Sequence, residues 1–254
     1  MVTGLAFFAT AIATVFAQAT AVRWSRTRAP HQGAWAFALA LFALASAALA
    51  TGSGTGWDGG VFRVFYLFGA ILNVPWLALG TIYLLGGRRL GARVKAGLLV
   101  FTGLAIGTML STPIHGVIEP NGPIPVGKDH FDALARILAA VGSGVGALVV
   151  FGGAAWSAVR FARSRTPGHG ALAAGNALIA TGTLILSSGG LLQGAVGHDE
   201  SFTISLALGI TVIYAGFVVA SGRAPAPGSA ARTTLPPTDV RGNDVTNSTR
   251  VGSL

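Results

Sequence analysis

Apolar runs recur seven times along the chain, at 2–22, 34–51, 61–85, 96–113, 133–157, 171–194 and 202–220, separated by short polar stretches. A hydrocarbon core of roughly 30 Å takes about 20 helical residues per crossing. The pattern therefore predicts an all-α polytopic membrane protein, a seven-transmembrane-helix bundle over 1–220. Residues 221–254 break the pattern. They are rich in Pro, Ser, Thr and Gly, including Pro225, Pro227, Pro236 and Pro237, and read as a disordered tail.

The polar stretches between the runs give the bundle a direction. Arg23, Arg26 and Arg28 follow the first run, Arg88, Arg89, Arg93 and Lys95 follow the third, and Arg160, Arg163 and Arg165 follow the fifth. Only Arg63, Lys128 and Arg136 lie near the opposite ends. Short cytoplasmic connections carry the excess of Lys and Arg, which predicts an outside N-terminus and a cytoplasmic tail. Trp24, Trp35, Tyr83 and Trp156 near the inner ends and Trp57 near an outer end fit headgroup-level aromatic belts. The first run meets its arginines only after its apolar stretch, so it reads as a retained helix rather than a secretory signal.

Composition narrows the chemistry. With 52% hydrophobic and 10% charged residues and a mean hydropathy of +0.66, water is not the main solvent of this chain. Its partner is the lipid bilayer, expected to be the cell (plasma) membrane of a bacterium. The net charge of +9 sits at membrane boundaries without an interleaved aromatic surface, so no nucleic acid is expected. The absence of cysteine excludes disulfides, thiolate catalysis and Cys-ligated metal centres. Both lysines, Lys95 and Lys128, lie outside the apolar runs, which excludes a retinal Schiff base. No P-loop, dinucleotide fingerprint or nucleophile elbow occurs in a usable context.

Two groups of residues are candidates for function. In the third run, Pro75 removes a backbone donor near mid-membrane, which predicts a kink and a freed carbonyl at residue 71. Asn73 and Trp76 flank that point, and Arg63 lies just inside the outer boundary, where a cation pairs, snorkels or meets an anionic ligand. Arg63, Asn73 and Trp76 are thus the candidate ligand or substrate contacts. The second group is on the outer side, where six of the eight carboxylates and three of the five histidines fall. From it His115, Glu119, His130, Asp132 and His198 are the candidates for a divalent metal or a proton relay. If the fourth helix continued past Pro113, His115 and Glu119 would share one face. Capping is the plainer expectation for the acids, because Asp58, Asp129, Asp132, Asp199 and Glu200 stand at the outer starts of runs three, five and seven. Arg136 is one turn from Asp132 and pairs with it in this reading.

Glycines four apart, Gly103 and Gly107, Gly142 and Gly146, and Gly190 and Gly194, predict close helix contacts within the bundle or a seam with a second copy. Seven spans also permit two parallel triplets about a linker helix. Leu77-Ala78-Leu79-Gly80 and Leu206-Ala207-Leu208-Gly209 occupy equivalent places in that scheme. The arrangement is similar to that of small sugar facilitators in topology, although paired prolines in the first helix of each triplet are missing. The sequence as a whole points to a non-enzymatic small-solute transporter or a membrane-embedded subunit of a larger complex. The alternative is a membrane enzyme using the outer histidines and carboxylates.

Overall fold

The computed structural model describes residues 1–164, 169–196 and 199–221, with the side chains of 192 and 194–196 excepted. His198, Arg165, Arg223 and the tail 222–254 lie outside the described residues. The chain is an all-α polytopic membrane bundle. Its elements are α1 (Val2–Thr27), α2 (Pro30–Thr55), α3 (Gly59–Phe65), a π-helical stretch (Tyr66–Leu72), α4 (Asn73–Ser111), α5 (Gly127–His130), α6 (Ala133–Ala162), α7 (His169–Val196) and α8 (Asp199–Ser221). Among the described residues six helices are long and apolar enough to cross a membrane, α3, the π stretch and α4 counting as one helix, Gly59–Ser111.

The helices outrun the apolar stretches that announce them. The connection expected over 23–33 contracts to Arg28 and Ala29, because Pro30 opens α2 at a position where its missing N–H costs nothing. Arg28 takes the left-handed conformation (φ 52°), and its N–H bonds to the Trp24 carbonyl at 2.8 Å. The basic stretch expected as a loop over 86–95 is likewise helical. Arg, Leu, Ala and Lys are good helix formers whatever their charge, and only Gly87 leaves the helix, at φ 78° and ψ 176°. A side chain would be strained there. At Gly87 the chain doubles back: Trp76 Nε1 donates to Thr102 Oγ1 at 3.2 Å, and the Arg63 guanidinium reaches the carbonyls of Met109 and Thr112.

Neighbouring helices pack in the order α1, α2, α4, α6, α7, α8 and back to α1, a closed ring. Glycine sets how closely several of them approach. A methyl on Gly142 would come 2.9 Å from the Ile71 carbonyl oxygen, and one on Gly146 would come 2.9 Å from the Val74 backbone, so this pair makes a close contact of α6 with the π stretch and the start of α4. Gly103 and Gly107 face open space instead, as does Gly190, and the surroundings of Gly194 lie outside the described residues. The tightest seam follows a different spacing. Gly175, Gly182 and Gly189 on α7 are seven apart and meet α8 at Gly216, Gly209 and Ser205. Methyls on Gly182 and Gly216 would come 2.8 Å and 2.6 Å from the carbonyl oxygens of Gly209 and Gly175.

Candidate functional site

Pro75 shapes its surroundings as its chemistry requires, one residue away from expectation. The turn before it widens into the π-helix Tyr66–Leu72, closed by an Asn73 N–H bond to the Phe68 carbonyl. In that wider register the missing Pro75 donor belongs to residue 70, not 71. Ser143 supplies the replacement, its hydroxyl donating to the Ala70 carbonyl at 2.5 Å from α6. Trp76 is buried, edge-on to Phe37 at 4.7 Å, with its N–H on Thr102. Asn73 is buried too, but its Oδ1 has no hydrogen-bond partner.

Arg63 does not meet Asp58, Glu119 or any other carboxylate among the described residues. Its Nη2 donates to the Thr112 carbonyl at 2.7 Å and its Nη1 to the Met109 carbonyl. Both carbonyls are otherwise unsatisfied at the C-terminal end of α4, where a cation also complements the helix dipole. The three residues of the first group therefore occupy three different environments.

The second group is drawn together by the segment from Thr112 to Asp132. Helix α4 ends at Ser111, Thr112 is extended and Gly116 has φ 71°, so His115 and Glu119 do not share a helical face. His115 instead meets residues far along the chain. Its Nε2 lies 2.8 Å from Asp132 Oδ1, its backbone N–H bonds to the His130 carbonyl at 3.0 Å, and its own carbonyl takes His130 Nδ1 at 2.9 Å. A carbonyl only accepts, so His130 carries its proton on Nδ1. The His130 ring packs edge-on to the fully buried Phe62, which stacks on Phe131 at 4.8 Å.

Capping holds for some of the acids. Asp58 Oδ1 accepts from the N–H groups of Gly60 and Val61, at 2.6 and 2.9 Å. Asp132 occupies the cap position of α6 but makes no side-chain cap bond, its carboxylate being turned to His115 instead of Arg136. Asp199 ties three elements, accepting from the Ile124 N–H at 2.8 Å and from Gln193 Nε2 at 3.0 Å. Together with the Trp57 N–H bond to the Pro120 carbonyl, at 2.8 Å, it fastens the 112–126 segment across this end of the bundle. Glu119, Asp129 and His130 line a depression of about 270 Å³ in that segment. No group of three or more His, Asp or Glu side chains is arranged to hold a metal ion among the described residues.

A second cavity, of about 80 Å³, lies in the opposite half of the molecule, near the arginine-rich ends. All six ring helices line it, through Phe16, Trp35, Thr81, Ser157, Asn176 and Phe217 among others. Its walls are fixed from behind. The Trp35 ring covers Gly80 and is met edge-on by His31 at 5.3 Å. Phe217 packs on Phe16 at 4.9 Å and lies beneath the Arg23 guanidinium, which also bonds to Ser221 at 2.7 Å. Gly153 brings α6 onto Thr81, next to Ser157 one turn along. By a measure in which one water needs roughly 10–15 Å³, the space would hold about five to eight waters.

The sequence reading placed no residue in this cavity. Its signal was nonetheless present, as Asn176, Thr81 and Ser157 are hydrogen-bonding side chains set inside long apolar runs. No protein-family model, curated protein or solved structure matches the chain.

Proposed function

We propose that this integral membrane protein is non-enzymatic and takes a small solute into the cavity of its ring, as a transporter or as a solute-holding subunit of a larger membrane complex. The observation that carries this reading is the cavity itself, lined by every helix of the ring and mostly apolar with a few polar groups, as small-molecule sites are. The stretch Gly59–Ser111 would measure about 80 Å as a straight helix, far beyond one bilayer thickness. In this reading Gly87 divides it into two crossings, making seven, with the arginine-rich ends and the mouth of the cavity facing the cytoplasm.

The chain has no cysteine, so single introduced thiols report access directly. Ser157→Cys should react with a membrane-impermeant maleimide from the arginine-rich side alone, while Asn73→Cys, in the closed core, should not react. An unreactive Ser157→Cys protein, or one labelled only from the opposite side, would remove the basis of this reading. A second reading, a membrane enzyme, is favoured by one observation, the His115–Asp132 pair, since a carboxylate-oriented imidazole is the usual arrangement of a general base. It requires any hydrolytic activity of the purified protein to disappear in both His115→Ala and Asp132→Ala variants.

A further inference from the structure

The polar groups of the cavity define what it can hold. Thr81 and Ser157 are more than nine-tenths buried, at 8% and 7% exposure, and their hydroxyls make no hydrogen bond to the described residues. Asn176 Nδ2 is committed to the Leu172 carbonyl at 2.8 Å, which leaves its Oδ1 as an acceptor without a partner. These oxygens are open to the cavity space and not sealed away from it, so a bound molecule can reach them. The cavity thus offers two hydroxyls, able to donate or accept, the Asn176 amide oxygen that only accepts, and the Trp35 indole N–H and second Asn176 N–H as donors. The rest of the described lining is hydrocarbon, an aromatic ring or glycine.

No charged side chain lines the cavity among the described residues. An ionised ligand would lose its hydration among these apolar walls, and a cation would also approach the Arg23 guanidinium stacked behind Phe217. A sugar is excluded by counting. These few polar groups cannot satisfy its many hydroxyls, and each one left unpaired in an apolar wall weakens binding.

We infer that the cavity binds a small, uncharged, largely apolar molecule carrying a single hydroxyl, which donates to Asn176 Oδ1 and accepts from Ser157 or Thr81. Phe16, Trp35 and Phe217 enclose its hydrocarbon body. The inference rests on the solute-binding reading above and adds the chemical class of the solute. It also separates this chain from sugar facilitators in substrate, whatever their likeness in topology.

Phenol and benzene, matched in shape and differing by one hydroxyl, are the probes. Calorimetric titration of the full-length protein in micelles, corrected with protein-free micelles, should give saturable binding of both, with phenol about tenfold the tighter, the equivalent of one net hydrogen bond. Asn176→Leu should abolish the preference and leave benzene binding in place, and Ser157→Ala, which adds no volume, should reduce it. Glucose should neither bind nor compete. Benzene bound as tightly as phenol, a preference surviving in Asn176→Leu, or competition by glucose would overturn the inference while leaving a solute-binding cavity. Failure of both aromatic probes to bind would overturn the inference and the solute-binding reading together.

Discussion

Arg63 and Asp132 show how a residue's use depends on what the fold brings to it. Arg63 stands out in the sequence because a cation at that depth pairs, snorkels or meets an anionic ligand. Its partners are backbone carbonyls 46 and 49 residues away, at a helix end whose position depends on the turn at Gly87. No local pattern encodes that. Arg63→Ala should therefore lower stability by about 2 kcal/mol, the range for hydrogen bonds from a charged group. Arg63→Lys should restore only part, since a single ammonium does not present the guanidinium fork. Unfolding in mixed micelles measures both, and an unchanged Arg63→Ala midpoint would reject the capping role. The Asp58 cap was legible because its partners are two and three residues on. Asp58→Ala should cost about 1 kcal/mol. Asp132 has the same sequence setting but turns to a histidine 17 residues back, so the pattern that succeeded for one acid misdescribes the other.

Among the elements, the long helices were legible because lipid demands a continuous apolar run. Their ends were not, since helix propensity carries the backbone past the apolar stretch until a glycine or proline intervenes. The π-helix was half legible. Proline predicts a missing bond, but which carbonyl is freed depends on whether the turn widens. If Ser143 replaces the donor that Pro75 lacks, the two sites are coupled. Ser143→Ala should cost about 1 kcal/mol in the parent and less than half of that in a Pro75→Ala background, where residue 75 regains an N–H. Equal costs in a double-mutant cycle would show that the Ala70 carbonyl is satisfied independently. Glycine spacing by itself does not separate a contact within the bundle from a seam with a second copy. The four-residue spacing marks a true contact at Gly142 and Gly146 and open space at Gly103 and Gly107, because spacing fixes a face and says nothing of what lies opposite it. Gly182→Ala should destabilise by about 1–3 kcal/mol through overpacking, whereas Gly103→Ala should be neutral or stabilising through helix propensity.

At the scale of the molecule the two ends differ in construction. The acidic end is fastened by long-range bonds through Asp199, Trp57 and Arg63, while the cavity lies toward the arginine-rich end. Asp199→Ala should loosen the 112–126 segment without disturbing the ring, seen as roughly tenfold faster hydrogen exchange at the Ile124 amide, the loss of about one bond. Unchanged exchange would mean that Asp199 does not hold the segment. Where the cavity lined by all six ring helices lies could not be read from sequence. It depends on which faces of six separate helices converge, and only the ring order decides that.

The contact between α1 and α8 has a consequence for how the protein is made. Helix α1 leaves the ribosome first and α8 last among the described helices, yet they are neighbours, joined at Arg23 and Ser221 and at Phe16 and Phe217. Phe217 is a wall of the cavity, so the enclosure does not exist while α8 is still being synthesised. A nascent chain with its earlier helices already inserted holds Thr81, Ser157 and Asn176 around an open trough that lipid tails can enter. Completion of the ring by α8 is then also the step that gives the cavity its last wall, after every other part of its lining has been made.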